Sequence, residues 1–461
     1  MDDPGAPSIK LSGRRAVLGA AGALCLFAVL ASCLSSQPRP PLRPPPAGFA
    51  VLAHDIAKFR ALPLKRDVAL AAAAENLTRD ELTAPFELTH VERAYKAIAL
   101  VGEDADLGAA LGEFRQLDRL FTYDAVRGSI ALEPAADKLG LPFEATDPTL
   151  AREAPFGFAV VAALQEQNFH WQEKIRLAFL EDHRLALRAL AIGDAAVTLI
   201  ARTNNRIDFT AADVARTGQF AGALEKAAAG LPGFVRDKIT FPYRDGSRFV
   251  LWALKARGWS GVDALYVNPP LSSAAVLHPE KYFLLGERPL RFFPAALRSV
   301  AKDGFIVEQS LGAHLLRGLL AGALDANLAG AVAAAWRGDQ LFAFQDGGEF
   351  VTAWYSSWAT AQQAAAFQRA YKNVLERRQR IRFDTPVKPS ANSSLSGRTR
   401  ANRGVWLETQ GPAVLFLSGV PLERLRQRVE DAWRDLEIEA DPAVIRFDSV
   451  RNRRQLSLSS R

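Results

Sequence analysis

Histidine, cysteine and paired carboxylates are the side chains best suited to hold a metal ion or attack a substrate. Their spacing in this 461-residue chain leaves them little to do. Six histidines occur, His54, His90, His170, His183, His278 and His314, and no two stand four apart. A separation of four puts two imidazoles on one helical face, where both can reach a single ion. There is no glycine-rich phosphate loop, no G-x-S-x-G elbow and no H-E-x-x-H. The nearest approach to a ligand cluster is Glu166 with His170, four apart, followed by Glu173, His183 and Asp194. An active hydrolase with metal at Glu166, His170 and a third group is therefore one alternative to keep in view.

The two cysteines, Cys25 and Cys33, point elsewhere. A short polar start closing on Arg14 and Arg15 runs into an apolar segment from Ala16 to Ala31, too short for a comfortable membrane span. Leu30-Ala31-Ser32-Cys33 resembles the bacterial lipobox, which implies removal of residues 1–32 and acylation of Cys33, with palmitate among the chains added. Gly13 to Leu18, with its arginine pair, also looks like a twin-arginine export signal. Leu34, rather than an acidic residue, follows Cys33; by the same resemblance the periplasmic face of the outer membrane is favoured over the inner membrane. Cys25 would be lost and Cys33 lipidated, so the mature protein would have no thiol for a disulfide, a thiolate metal site or cysteine catalysis.

Several segments taken together carry a family likeness. Ala163-Leu164-Gln165-Glu166-Gln167-Asn168-Phe169 is followed by Gly193-Asp194-Ala195, then by Phe241-Pro242-Tyr243 with Gly246, and Gly258-Trp259. Asn268-Pro269-Pro270-Leu271-Ser272-Ser273 leads to His278-Pro279-Glu280-Lys281-Tyr282, and Trp336-Arg337-Gly338-Asp339 and Trp358 to Phe367 come downstream. In order and approximate spacing, about residues 50–435 resemble exported zinc metallopeptidases of the gluzincin type. Such enzymes carry H-E-x-x-H-A-L-Q on one helix and a third ligand, glutamate, in E-G-D-A on the next. The glutamate between the histidines takes a proton from zinc-bound water.

This chain departs from that pattern where the chemistry would be. The histidine positions are Phe158 and Ala162, the base position is Ala159 and the third-ligand position is Ile192. None can bind an ion or move a proton. Removing the metal while keeping its ligands would bury unpaired polar groups at about 1–3 kcal/mol each. Hydrocarbon instead makes the site ordinary core. The expectation is a metallopeptidase-like protein with no catalytic residues, no metal and no cofactor. Glutamine, acid and histidine at the places of Gln165, Glu166 and His170 also accompany the intact zinc motif outside its ligand set, which is the plainer account of that pair.

Further residues mark a candidate cleft. Asp194 would have lost the histidine it oriented, and is expected to bond to backbone N–H, an arginine or water. The resemblance implies that His278 and Tyr282 line the cleft, where either could stabilise an oxyanion; the alternative is that His278 caps a helix or bonds to backbone. Tyr243 belongs to the same candidate set. Tyr123, in the first hairpin, would lie on an edge strand able to pair with an extended peptide, or simply pack at a turn.

The elements that position these residues follow from periodicity. Apolar residues at spacings of three and four (Ile56, Phe59, Leu62; Val91, Tyr95, Ile98, Val101) predict helices between Phe49 and Leu120. Helices are also expected over 155–168, 172–202 and 310–335, with a mixed, mostly helical region between. Hairpins are expected at 120–132, around Asp346-Gly347-Gly348, and around Gln410-Gly411-Pro412. The fold class is α+β: a mostly helical, zincin-like domain over 49–440 with a small antiparallel sheet and β-hairpins. Its parts are 49–120, 121–335 and 336–440. A signal peptide (1–32) and a proline-rich tether (33–48) precede it and a basic tail (441–461) follows; 384–402 is expected to be a surface loop.

Net charge is +7, with 23% charged residues. Basic runs at Arg377 to Arg382, Arg398 to Arg403 and Arg451 to Arg454 are expected to be solvated loops or to meet anionic headgroups. Export makes nucleic acid an improbable partner. The function expected from sequence is a lipid-anchored, catalytically inactive envelope protein that binds a polypeptide or protein partner, the alternatives being the relocated-site peptidase or a purely structural envelope component.

Overall fold

The computed structural model describes residues 41–44, 48–71, 85–118, 121–132, 148–384 and 393–440. Its architecture is α+β. The helices are α1 (Phe49–Arg60), α2 (Pro85–Ala97), α3 (Leu107–Asp118), α4 (Pro148–Phe169), α5 (Trp171–Leu177), α6 (Glu181–Thr203), α7 (Ala211–Ala227) and α8 (Gly233–Val267). Then come α9 (Ser273–Leu277), α10 (Pro279–Phe283), α11 (Ala295–Val300), α12 (Gly312–Ala321), α13 (Ala326–Ala334), α14 (Ala361–Arg378) and α15 (Leu425–Trp433).

The heart of the helical part is α4, α6 and α8. Phe158, Ala159, Val160, Val161, Ala163 and Leu164 are all buried, because that stretch of α4 carries hydrocarbon on every side. Helices α6 and α8 touch backbone to backbone. A Cβ on Gly193 would lie 2.7 Å from the Ser247 nitrogen, and one on Gly246 would lie 3.1 Å from the Ala189 Cα. Only glycine allows that approach. Pro242 sits inside α8, and the helix breaks at Arg257 and Gly258, where Gly258 takes φ 62° and ψ −152°. Such backbone is essentially reserved for glycine, so the chain can bend there and carry Trp259 to Tyr266 back across the core.

The strands are β1 (Leu42–Arg43), β2 (Ala69–Ala71), β3 (Phe121–Asp124), β4 (Ser129–Leu132), β5 (Leu290–Pro294), β6 (Val307–Gln309), β7 (Trp336–Asp346) and β8 (Glu349–Trp358). The remainder are β9 (Arg382–Phe383), β10 (Ser394–Arg398), β11 (Gly404–Gln410), β12 (Ala413–Val420) and β13 (Leu436–Ala440). Seven form one antiparallel sheet in the order β6-β7-β8-β12-β11-β10-β9. Alternation along the strands gives it two apolar faces. Leu341, Trp354, Val414 and Phe416 join the main helical core, while Phe342, Phe344, Tyr355 and Leu415 form a second core with Phe292, Leu297 and Val429. A four-stranded sheet, β1-β2-β4-β3, and the pair β13-β5 complete the set.

The expected hairpins are present, and Gly347 and Gly348 both have positive φ, as the β7–β8 turn requires. Several elements differ from expectation: the helices expected over 172–202 and 310–335 are each broken, at 178–180 and at 322–325. Leu42–Arg43, inside the expected tether, pairs with Ala71 and Leu70 of β2. Ser394–Arg398, inside the expected loop, is a strand because β11 offers it a full edge from Gly404 to Glu408. The antiparallel sheet is larger than expected, since β7 and β8 run the full length from Trp336 to Trp358. The expected signal peptide, Cys33 and basic tail lie outside the described residues. Among those described, no helix is long and apolar enough to cross a membrane.

Candidate functional site

Asp194 is fully buried at the junction of α1, α4, α6 and α8. Arg60 of α1 donates to it from Nε at 2.8 Å and from its second terminal nitrogen at 3.3 Å. The Tyr266 hydroxyl donates at 2.7 Å, the Thr198 hydroxyl at 3.3 Å and the Gln165 amide at 3.4 Å. The Arg60 guanidinium also meets Asp263 at 2.8 Å and lies 4.6 Å from the Trp259 ring centre. Burial works against the arginine's charge, but Asp194 and Asp263 outweigh it and raise its pKa above the ordinary value. Burial first, and Asp194 second, hold the Tyr266 hydroxyl protonated. An acid with this many donors has no free lone pair for a metal or a substrate. Asp194 thus pairs with an arginine, one of the partners the sequence analysis allowed.

Phe158, Ala159, Ala162 and Ile192, the positions set beside zinc ligands and base by the resemblance alone, are apolar side chains on α4 and α6. Phe158 and Ala159 are buried, and Ala162 and Ile192 are half-buried. The Phe158 ring packs 5.5 Å from Phe121 and 5.8 Å from Tyr243. Helices α4 and α6, which carry the four, are tied by the Gln165 amide donating to the Ala191 carbonyl at 2.9 Å. Among the described residues no group of three or more His, Cys, Asp or Glu side chains converges as a metal site would need. Glu166 accepts from the Gln172 backbone N–H at 2.7 Å, and His170 is exposed in a left-handed conformation between α4 and α5. Neither His183 nor Asp194, both buried, comes within such a group.

The candidate cleft residues are dispersed. Tyr123 is buried, and its hydroxyl accepts from Arg66 and from Gln167, each at 3.2 Å. Tyr243 is buried against Phe158, and burial pushes its phenol up to about 12. Tyr282 donates its O–H to the Asn268 carbonyl, which leaves it no proton for an oxyanion. His278 joins α9 to α10 with no side-chain cap bond, and its Nδ1 lies 3.6 Å from Glu280. Burial and the nearby Lys281 lower its pKa, keeping the imidazole neutral.

Beside His278 a groove of about 660 Å³ opens between α7, α8 and the α9–α10 corner. Val214, Leu251, Trp252, Val276, Leu277 and Pro279 supply its apolar lining, with Arg248, Lys255 and Asp245 adding charge. Of the sequence-level candidates, only the His278 segment borders it. Sequence reasoning missed Arg60, Tyr266 and the α8 wall, since nothing local distinguishes Arg60 from the other basic residues.

A second buried acid, Asp339, comes from the Trp336-Arg337-Gly338-Asp339 run. It accepts from the Leu311 and Gly312 backbone N–H groups at 2.9 Å, the Ser310 hydroxyl at 3.0 Å and the Trp336 and Trp354 indoles at 3.1 and 2.9 Å. Its work is to cap the start of α12 and join that helix to the sheet.

Residues 298–429 match a family described as a domain of unknown function, DUF8575. The match spans the end of α11 through most of α15, hence the seven-stranded sheet and the helices around it, and carries no assigned activity. No curated protein and no solved structure matches the chain.

Proposed function

We propose that the chain is a lipid-anchored protein of the bacterial envelope whose metallopeptidase-like core does no catalysis and instead binds a polypeptide partner. The groove beside His278 carries the binding part of this reading. It is open, has a volume of about 660 Å³, and mixes apolar lining residues with Arg248, Lys255 and Asp245, as a site for an extended or helical segment should. The non-catalytic part is supported by the hydrocarbon at Phe158, Ala159, Ala162 and Ile192, and by Asp194, whose oxygens are occupied by Arg60, Tyr266, Thr198 and Gln165. The envelope placement is supported by Leu30-Ala31-Ser32-Cys33.

The test uses the purified chain from residue 34, which keeps both hydrophobic cores because their residues all lie at or after Phe49. Fluorescein-labelled casein should show a saturable rise in anisotropy without cleavage, and Leu277→Asp should weaken that binding. Stoichiometric bound zinc, or proteolysis that a chelator abolishes, would overturn the non-catalytic reading. Casein binding that Leu277→Asp leaves unchanged would remove the groove as the binding site.

A further inference from the structure

A group of exposed apolar side chains lies next to that groove. Leu284 and Leu285 follow α10 and stand 71% and 65% exposed, and Val267, at the end of α8, is 79% exposed. These are not scattered residues. The Tyr282 hydroxyl bonds to the Asn268 carbonyl, which fixes the end of α8, with Val267, against α10. Phe283 lies flat on Trp252, with ring centres 5.8 Å apart and planes within 9°, and Trp252 is itself 43% exposed. Phe249 packs beneath Phe283 at 5.3 Å, so the aromatic pair is braced from the core side. The result is a rigid apolar edge: an indole, a phenyl ring and three protruding aliphatic side chains.

Cations flank this edge. Arg248, Trp252 and Lys255 form one exposed stripe along α8, spaced by four and three residues, and Arg257 follows at the helix break. None of the three cations has an acidic partner among the described residues, whereas Asp245 beside them is held by Arg244. Exposed tryptophan and leucine beside unpaired lysine and arginine is the composition of a surface that lies in a bilayer interface: the rings and aliphatics enter the acyl boundary and the cations meet phosphate. In a water-exposed surface the same apolar edge would be an aggregation liability.

We infer that the edge formed by Trp252, Val267, Phe283, Leu284 and Leu285, with Arg248, Lys255 and Arg257, docks this protein onto an anionic phospholipid surface. The contact is additional to any acyl chain on Cys33, and because Arg248, Trp252 and Lys255 also line the groove, headgroups and a polypeptide compete for that face. It rests on the envelope reading only for its setting; the attraction itself is a property of the described surface. Each lysine or arginine near an anionic membrane adds an attraction that weakens as salt rises.

The experiment is sedimentation of the chain from residue 34, which has no Cys33 to acylate, with vesicles of equimolar phosphatidylglycerol and phosphatidylcholine, and with phosphatidylcholine alone. Binding is expected to the anionic vesicles and to fall at high salt. Arg248→Glu with Lys255→Glu should weaken it by about tenfold or more. Leu284→Asp with Leu285→Asp should abolish it at all salt concentrations, while the melting temperature stays unchanged because both side chains face water. The inference is overturned by no binding to anionic vesicles, or by binding that either double variant retains in full. A dimer in light scattering that the leucine variant dissolves would also overturn it, by showing that a second copy covers the edge. Leu284 and Leu285 do not line the groove, so casein binding by the leucine variant separates this failure from failure of the polypeptide-binding reading.

Discussion

Arg60 Nε lies 2.8 Å from Asp194 Oδ1, with both side chains excluded from water and the two residues 134 positions apart in the chain. A buried charge is tolerated only when paired, and removing one partner strands the other. Arg60→Met and Asp194→Leu should therefore each cost about 3–5 kcal/mol in urea unfolding. The double variant should cost clearly less than the two added together, since the buried Arg60–Asp194 pair is then gone and only Asp263, whose side chain is 35% exposed, loses its arginine. Additive costs would mean that the pair is not coupled.

Tyr266→Phe is a milder probe of the same knot. It deletes the 2.7 Å bond to Asp194 and keeps the ring, which stacks 4.3 Å from Phe169. Loss of a hydrogen bond to a charged group predicts a destabilisation of about 1.5–3 kcal/mol. The aromatic near-ultraviolet signal should persist, and a change below the error of a melting curve would show that Asp194 is satisfied without it.

The contact between α6 and α8 allows no side chain on either partner. Gly246→Ala puts a methyl group onto the Ala189 backbone, and Gly193→Ala puts one onto the Gly246–Ser247 peptide. Alanine favours an isolated helix over glycine by about 1 kcal/mol, so a stabilised variant would show that the helices can part cheaply. The expected outcome is the opposite: a loss of about 1–3 kcal/mol for each, from forced separation, read as a lowered melting temperature.

Two buried groups set opposing pH slopes. Asp182 accepts from the single N–H of Ser273, at 3.1 and 3.2 Å, and burial lifts its carboxyl from 3.8 to about 7. The folded state then keeps a proton that the unfolded chain releases, so this contribution to stability falls as pH rises from about 3.8 to about 7. His314 is buried under Phe241 with Nε2 3.1 Å from the Asp237 carbonyl, and burial, with Arg317, Arg244 and Lys238 nearby, pushes it from 6.5 down to about 3. Below 6.5 the unfolded chain takes up a proton that the folded state refuses, so this contribution falls as pH drops toward 3. Asp182→Asn should leave stability rising with pH between 4 and 6.5, and His314→Asn should leave it falling, relative to the parent chain. Parallel curves for all three proteins would refute the assignment.

Local signals were enough for much of the framework. The Asp346-Gly347-Gly348 turn and the apolar alternation on either side specify β7 and β8 without help from distant residues, because a turn with two positive-φ positions and a period of two are both short-range properties. The apolar run in α4 from Phe158 to Leu164 likewise announces a buried helix. Its hydrocarbon at Phe158, Ala159 and Ala162, like that of Ile192 in α6, is readable from side-chain chemistry alone. Elements whose stability comes from neighbours were not legible. Ser394–Arg398 and Leu42–Arg43 are strands because an edge elsewhere accepts their backbone hydrogen bonds, not because of their own residues.

What the sequence determined by itself was thus the α+β class, the main helices and hairpins, and the apolar character of the α4 stretch from Phe158 to Leu164. Tertiary structure alone decided which residue would neutralise Asp194, where a groove would open, and that Trp252, Val267, Phe283, Leu284 and Leu285 would share one edge. Periodicity and turn chemistry act over a few residues. Burial of a charge, or exposure of an apolar edge, is fixed by segments brought together from 15 to 134 positions apart.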